Sequence, residues 1–445
     1  MNIINFKNLA KNSLRKKALL IAEAGYETID IERVINRRIV IKNSILKVAT
    51  ISGSNKYYPL EINLNNFERI FLVGIGKGSA LASATLAKIL GKRLTGGIAL
   101  DVQKFKIQNS KFKILAGTHP LPSQKNIIAT QKIIKLVKNL KKDDLLITFI
   151  CGGGSALLCG SEKEMKNSIL ATKLLTQAGA DILELNTVRK HLSDIKGGGL
   201  AKLAYPATVI SLIVSDVLGN DLSMVASGPM VYDKTTKKDA ERILKKHRLN
   251  SQKFHFIETP KDKKYFVKIK NILFLSNREP ILAMAKKAKE LGFKPKIYSY
   301  NLRGEARDKL VSLIRPAKNG GVILAGGETT VVLEKSKLQI KIQKLGKGGR
   351  NMEAVLGAII STKSLKLKTK SLVIMFFASD GRDNTEAAGA IGDILTLQKA
   401  EKLKLKPQKY LNSHDSFNFF KKTEDLIFTE QKTFNVADLM IVLKK

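Results

Sequence analysis

The chain has 445 residues, 44% hydrophobic and 26% charged, with 78 Lys and Arg against 38 Asp and Glu for a formal charge of +40. At roughly 100–200 residues per domain this makes two or three domains with real cores, and no run nears the ~18 uncharged apolar residues that a membrane span requires. The lysines run from Lys7 to Lys445 without a basic stripe interleaved with aromatics, a compositional bias that sets nucleic acid and membrane aside as partners.

Residues 7–35 carry Leu14, Ala18, Ile21 and Ala22 at helical spacing and read as an amphipathic helix. The apolar run Ile70–Val73, the turn Gly74-Ile-Gly-Lys-Gly78 and the small-residue stretch Ser79–Leu90 read as strand, tight turn and helix. Strands are predicted at Gly97–Leu100, Phe112–Leu115, Asp144–Ile150 and Thr208–Val214, and helices at Gln124–Leu140, Lys163–Gly179, Asp181–Lys196 and around Lys238–His247. This alternation predicts a mainly parallel sheet with helices on both faces. The polar stretch 249–264 reads as a linker, which gives a first domain over 1–250 and a second over 265–445. The second opens with a strand at Lys270–Leu275 and continues with helix Pro280–Leu291, strand Lys296–Ser299, helix Glu305–Arg315, and strands Gly321–Ala325 and Leu372–Ala378.

The chemistry-bearing residues cluster just after predicted strands, where open α/β sheets bind ligands. Gly74-x-Gly76-Lys77-Gly78-Ser79 nearly matches a dinucleotide fingerprint, with Ser79 where the third glycine would fall, and can offer backbone N–H groups and the Lys77 charge to an anion. Cys151-Gly-Gly153-Gly154-Ser155 lets backbone approach a phosphate or carboxylate. On a continuous helix Asn186, Arg189, Ser193 and Lys196 share one polar stripe that runs into Gly197-Gly-Gly199. Asp216 and Asp221 follow a strand end and could hold Mg²⁺ or act as a base, Asp216 being the better placed. The second domain adds Gly326-Gly-Glu328, Gly348-Gly-Arg350-Asn351 and Asp380-Gly-Arg-Asp383; the arginine suits phosphate or carboxylate at a helix start, with a salt bridge as its plain alternative. His119 and His191 read as structural hydrogen-bonders. Cys151 and Cys159 are too few for a disulfide framework, and no apolar stretch with a cleavage site follows Met1, so a reducing cytoplasm is expected.

Taken together, Asn186-Thr-Val-Arg-Lys-His191-Leu-Ser-x-x-Lys196-Gly-Gly, Ser215-Asp-Val through Ala226-Ser-Gly-Pro229, Gly326-Gly-Glu-Thr-Thr330, Gly348-Gly-Arg-Asn351 and Asp380-Gly-x-Asp383 closely resemble the glycerate 2-kinase family with a C-terminal MOFRL domain, over about residues 10 to 440. Gly78, Ser123, Cys151, Asn220 and Asn384 depart from its usual pattern, Ser123 standing where an aspartate is common and Asn384 where a glycine is. The resemblance implies two α/β domains, the first Rossmann-like with a mainly parallel sheet and the second a smaller MOFRL-type domain, with the active site in the cleft between them. It implies ATP-dependent phosphorylation of D-glycerate to 2-phosphoglycerate with Mg²⁺, and leaves a homodimer open. Lys77, Arg350 and Asp216 are the expected catalytic residues and Asp216 and Asp221 the expected metal ligands. Gly76, Gly153, Gly154, Ser155, Asn186, Arg189, Lys196, Glu328, Asn351 and Asp380 are expected to bind the two substrates. The rivals are an NAD(P)H-dependent hydroxypyruvate reductase, because Gly74-x-Gly followed by a strand ending in Asp101 imitates a nicotinamide site, and a basic nucleic-acid-binding protein, for which only the charge speaks.

Overall fold

In the computed structural model, which describes residues 1–51, 57–105, 109–332, 346–364 and 371–445, the chain forms two units, Ile31–Ser276 and Met1–Asp30 together with Asn277–Lys445. The first unit begins with a small antiparallel sheet, β1 (Ile39–Lys42), β2 (Ile45–Ile51) and β3 (Tyr57–Asn63), which the sequence reading passed over. Its first hairpin turns on Asn43 and Ser44, both in the left-handed region at φ 51° and 62°, the geometry of a two-residue hairpin loop.

The main sheet of this unit holds β4 (Arg69–Ile75), β5 (Leu94–Asp101), β6 (Phe112–Ala116), β7 (Asp144–Ile150), β8 (Thr208–Val214) and β9 (Ile269–Leu275) in the order β6-β5-β4-β7-β8-β9. Every pair is parallel. Relabelled from β4 this is the doubly wound order 3-2-1-4-5-6, as expected for a Rossmann-like domain, and it reverses direction between β4 and β7. β7 is buried along its whole length, which is why it reads as an unbroken apolar run and not as an alternating one.

The expected boundaries differ from this division. β9, read as the first strand of a second domain, is the sixth strand of the first sheet, paired to β8. The stretch 249–264 is no free linker: Phe254 and Phe256 are buried, stacked at 5.9 Å between centroids, and join a core with Ala171, Leu175, Val188 and Leu192. The polar residues around these two phenylalanines masked a docked strap. The helix expected over Asp181–Lys196 stops at Lys190, where His191 is the C-cap and 191–198 turn.

In the second unit the sheet order is β10 (Lys294–Leu302), β11 (Gly321–Gly327), β15 (Asp438–Lys444), β12 (Leu372–Ala378), β13 (Gly389–Asp393) and β14 (Leu426–Ile427). β10 and β11 are parallel; the remaining pairs are antiparallel. The last strand in sequence therefore fills the middle of the sheet. Helix Arg350–Ser364 lies over β12 and β13, and its Met352, Val355, Leu356 and Ile359 are buried in the core on that side. The segment expected as a helix over Glu305–Arg315 is two short turns, Ala306–Lys309 and Val311–Ile314.

The first thirty residues belong to this unit and not to the one that follows them in sequence. Helix Ser13–Glu27 packs along helix Arg278–Glu290, with Gly25 lying under Met284. Arg15, fully buried, forks onto Asp393 at 2.6 and 2.7 Å and onto Asp425 at 2.7 Å. Isolated bridges join Ile3 to Thr429 and Asp30 to Thr433. A buried ion pair broken on one side leaves uncompensated charge, at a cost of about 3–5 kcal/mol. Arg15→Ala is therefore expected to lower unfolding stability by that amount in a urea titration followed by circular dichroism. A loss below about 1 kcal/mol, the range of exposed pairs, would contradict the stapling role.

Candidate functional site

At the switch point of the first sheet two glycine turns touch. The Cys151 N–H donates to the Ile75 carbonyl at 2.8 Å and the Lys77 N–H to the Gly152 carbonyl at 2.9 Å. Gly76 has φ 107°, and a side chain on it would run into the Cys151 carbonyl oxygen. The half-buried Asp216, one residue past β8 and its neighbour Ser215, lies directly against Gly152: a Cβ there would sit 1.8 Å from Oδ2. Gly153, also left-handed, has the His119 ring and the Lys77 stem over it. The structure thus brings Gly76, Lys77, Gly153, Gly154 and Asp216 together at the carboxyl ends of β4, β7 and β8.

Ser155 and Asn186 join this corner through a residue the sequence reading quoted but did not select. Ser227 Oγ donates to Asn186 Oδ1 at 2.8 Å, so the 2.8 Å contact between Ser155 and Ser227 has Ser155 as donor. Ala226 and Ser227 both hold left-handed backbone, a strained conformation for non-glycine residues, and Ala226 fills the space above Gly154. Arg189 is half-buried; among the described residues its guanidinium has Thr172 Oγ1 as hydrogen-bond partner, at 3.1 Å, and no carboxylate. Burial lowers its pKa. A small pocket there is lined by Pro120, Pro122, Ser155, Thr172, Arg189 and the expected Lys196. His119 is pushed down to about 4 by burial and by the charges of Lys77 and Arg189, and so is neutral near pH 7.

Other expected residues have partners of their own. Lys196 is buried in an ion pair with Glu164 at 2.6 Å, which neutralises it. Asp221 is exposed and accepts from the Ser223 N–H at 2.9 Å, closing a turn. Among the described residues no group of three His, Cys, Asp or Glu could hold a metal ion. The helix start expected to bind an anion after Gly78 is occupied by the protein itself: Asp101 accepts from the Ala80 N–H at 3.0 Å and from Val102 at 2.6 Å. This buried carboxylate serves the fold and not a nicotinamide ribose. Cys151 is buried, and burial with the charges of Asp101 and Asp216 drives its thiol pKa well up, away from any nucleophilic role.

The second unit repeats the device. At the start of helix Arg350–Ser364, Asp383 accepts from the Asn351 and Met352 N–H groups at 3.0 and 2.9 Å. Arg350 forks onto Asp438 at 2.5 and 3.3 Å and reaches Glu328 at 2.8 Å, the salt-bridge alternative of the sequence reading. Burial works against its charge, but Asp438 and Glu328 outweigh it and raise the pKa. Asn351 Nδ2 donates to Asp438 at 3.2 Å. Asp380 accepts from the Arg382 N–H at 3.1 Å within its own turn. Asp438, at the start of a strand with no glycine motif beside it, carried no sequence signal. The family departures also acquire reasons. Ser123 caps helix Gln124–Lys138 with Asn126 reciprocating, a role in which serine equals aspartate. Asn220 and Asn384 sit at φ 57° and 54°, positions asparagine tolerates.

Compared with known proteins, residues 17–257 match the domain of unknown function DUF4147 and residues 321–438 match the MOFRL family. A glycerate 2-kinase of Pyrococcus horikoshii is 33% identical over 84% of this chain and 87% of its own. A protein of Agrobacterium vitis, provisionally named a hydroxypyruvate reductase, is 34% identical over 84% and 87%. The crystal structure of a glycerate kinase from Thermotoga maritima superposes with a TM-score of 0.76 at 28% identity, covering 97% of this chain and all of that one.

Burial, with the Asp438 charge, pushes Asp383 up to about 7, against its two backbone donors and Arg350. Its folded pKa thus lies above the ordinary carboxylate value, and the folded state keeps a proton that the unfolded state releases. The Asp383 contribution to stability should be fullest below about pH 4, fall as pH rises to about 7 and level off above. Asp383→Asn, which cannot ionise, is expected to flatten this slope in urea midpoints measured from pH 4 to 8; an unchanged slope would assign it to other groups.

Proposed function

The chain belongs to the glycerate 2-kinase family built of DUF4147 and MOFRL domains, and from that premise we propose that it transfers the γ-phosphoryl group of ATP to the 2-hydroxyl of D-glycerate. The products are 2-phosphoglycerate and ADP. The observation that carries this reading is the switch-point turn, where Lys77, through its backbone, and Asp216, through its carboxylate, both rest on Gly152. A cation and a carboxylate at the same edge of the sheet suit phosphoryl transfer, which asks for positioning and electrostatic stabilisation and for little covalent chemistry.

Lys77 and Arg189 meet the negative charges of the triphosphate and of the glycerate carboxylate. Gly153 and Gly154 let backbone come close to the phosphates, and Ser155, whose hydroxyl donates to Ser227, lines one pocket with Arg189. Mg²⁺ fits this donor set, because it binds through one or two carboxylates together with substrate phosphates; Asp216 would hold it, and the ion would neutralise charge on the nucleotide. Asp221, tied into its exposed turn, is a weaker candidate. Arg350 has its charge met by Asp438 and Glu328, and we assign it to the integrity of its own helix start. No described helix is long and apolar enough to cross a membrane, and the proposed location is the cytoplasm. The reductase reading has the name of some relatives in its favour but loses its ribose ligand, since Asp101 is buried at a helix start.

Purified protein is expected to form ADP only when D-glycerate, ATP and a divalent metal are all present, and to leave NADH unoxidised with hydroxypyruvate. Sole formation of 3-phosphoglycerate would overturn the regiochemistry, and hydroxypyruvate-dependent NADH loss the reaction class. Lys77→Ala should cut kcat/KM by about 10²–10³ with a stability change below about 0.5 kcal/mol. Arg350→Ala should instead lower the urea midpoint first, because Asp438 and Glu328 lose their cation. Near-wild-type kcat/KM for Lys77→Ala would remove that residue from the site.

A further inference from the structure

We propose that His119 is a catalytic residue of this reaction, its imidazole accepting the proton of the glycerate 2-hydroxyl; the proposal rests on the kinase reading above. The residue lies in Thr118-His-Pro-Leu-Pro122, after the carboxyl end of β6 in the parallel sheet. This loop is not loosely placed. Asn126, wholly buried, accepts from the Thr118 and Ser123 N–H groups at 2.9 and 3.1 Å and donates to the carbonyls of Thr118, Ala156 and Leu157 at 3.1–3.2 Å. One side chain thus ties the His119 loop to the turn that carries Ser155.

The ring then lies over Gly153, where an added Cβ would sit 3.3 Å from Nε2 and 3.2 Å from the Lys77 Cγ. Imidazole and lysine stem meet above the same glycine, so a group bound by Lys77 is within reach of the ring. Among the described residues no hydrogen bond engages either nitrogen of His119, and the residue is exposed to solvent. His191 differs: its Nδ1 meets the Ile257 carbonyl at 2.9 Å and its Nε2 meets Thr235 at 3.2 Å, leaving nothing for a substrate.

The surroundings also set the charge of the ring. Partial burial, Lys77 and Arg189 keep it unprotonated at neutral pH, with a pKa of about 4. That is the strength of the aspartate that serves as base in protein kinases, and a loose phosphoryl-transfer transition state asks no more. Unlike a carboxylate, a neutral imidazole adds no negative charge beside the migrating phosphoryl group. In the step the glycerate O2–H bond breaks and its proton goes to a ring nitrogen, the O2–P bond forms, and the bond from the γ-phosphorus to the bridging oxygen breaks with its electron pair leaving on ADP. The imidazolium returns its proton to water after product release. Asp216 is then left to hold the metal.

The test uses His119→Ala and His119→Asn in the full-length chain, with melting curves to show that each is folded, at saturating D-glycerate and ATP. A lost general base should lower kcat by about 10²–10⁴ while KM for ATP stays within about threefold. Imidazole added to His119→Ala should restore part of kcat and should do nothing for Lys77→Ala. A folded variant with kcat within threefold of wild type overturns the proposal, as does a loss of kcat in His119→Ala that imidazole does not reverse. If His119→Ala fails to fold, kcat and ATP KM of His119→Asn decide by the same criteria. A wild-type protein that makes no ADP with glycerate would bring down the kinase reading itself, whereas an active wild type with unaffected variants brings down His119 alone.

Discussion

The close approach of two backbones at the switch point of the parallel sheet is the constraint on which the first unit depends. With the Gly76 Cα facing the Cys151 carbonyl and the Gly152 Cα facing the Asp216 carboxylate, neither position has room for a methyl group. Gly76 is therefore a statement about distance as well as about φ, and Gly152 one about distance alone. The hydrogen bond from the Lys77 N–H to the Gly152 carbonyl closes the contact, and through it the turn after β4, the turn after β7 and the carboxylate after β8 become one surface. Catalytic groups on loops gain their precision in this way, from the rigid strands beneath them and from the few contacts that join loop to loop.

A second constraint concerns helix dipoles. Two glycine-rich turns that precede a helix, Gly76–Gly78 and Gly348–Gly349, look like anion sites, because the first N–H groups of a helix have no partner and carry partial positive charge. In each unit a buried aspartate from elsewhere in the chain takes that place, Asp101 in one and Asp383 in the other. The physics invoked by the sequence reading is right and the ligand is different: the anion is part of the protein. This explains why Gly349 cannot carry a side chain, since Asp383 occupies that space.

The legibility of the fold followed burial. β7, β8 and β12 are closed on both faces, read as unbroken apolar runs and were located to the residue. β15 is equally apolar, but it lies beyond a polar, turn-rich stretch and its place between β11 and β12 depends on pairings that no local pattern encodes. The same holds for residues 1–30, whose amphipathic helix announces a partner surface without saying which one; Arg15 finds Asp393 and Asp425 nearly four hundred residues away. The 249–264 strap failed for a different reason, two buried phenylalanines among polar neighbours being too few to form a period. Of the candidate site, Lys77, Asp216, Ser155, Asn186 and Arg189 were legible because they sit beside glycine turns at strand ends or on the helix that borders them. Ser227, Asp101 and Asp438 act through contacts that only the folded chain creates.

The positive charge of the chain becomes informative only after its partners are counted. Lys190, Lys196 and Arg15 are buried against Asp233, Glu164, Asp393 and Asp425, and Arg350 is held between Asp438 and Glu328. These cations balance internal carboxylates. Arg189 differs from these, a half-buried guanidinium that among the described residues has a hydroxyl and no carboxylate as partner. Holding a cation in that state costs solvation that no internal partner returns, so an anionic ligand would restore what folding removed. A net charge of +40 spread over the surface cannot direct one small anion to one place. A single guanidinium that lines one pocket with Ser155 and has a hydroxyl beside it is local in the way such a choice requires.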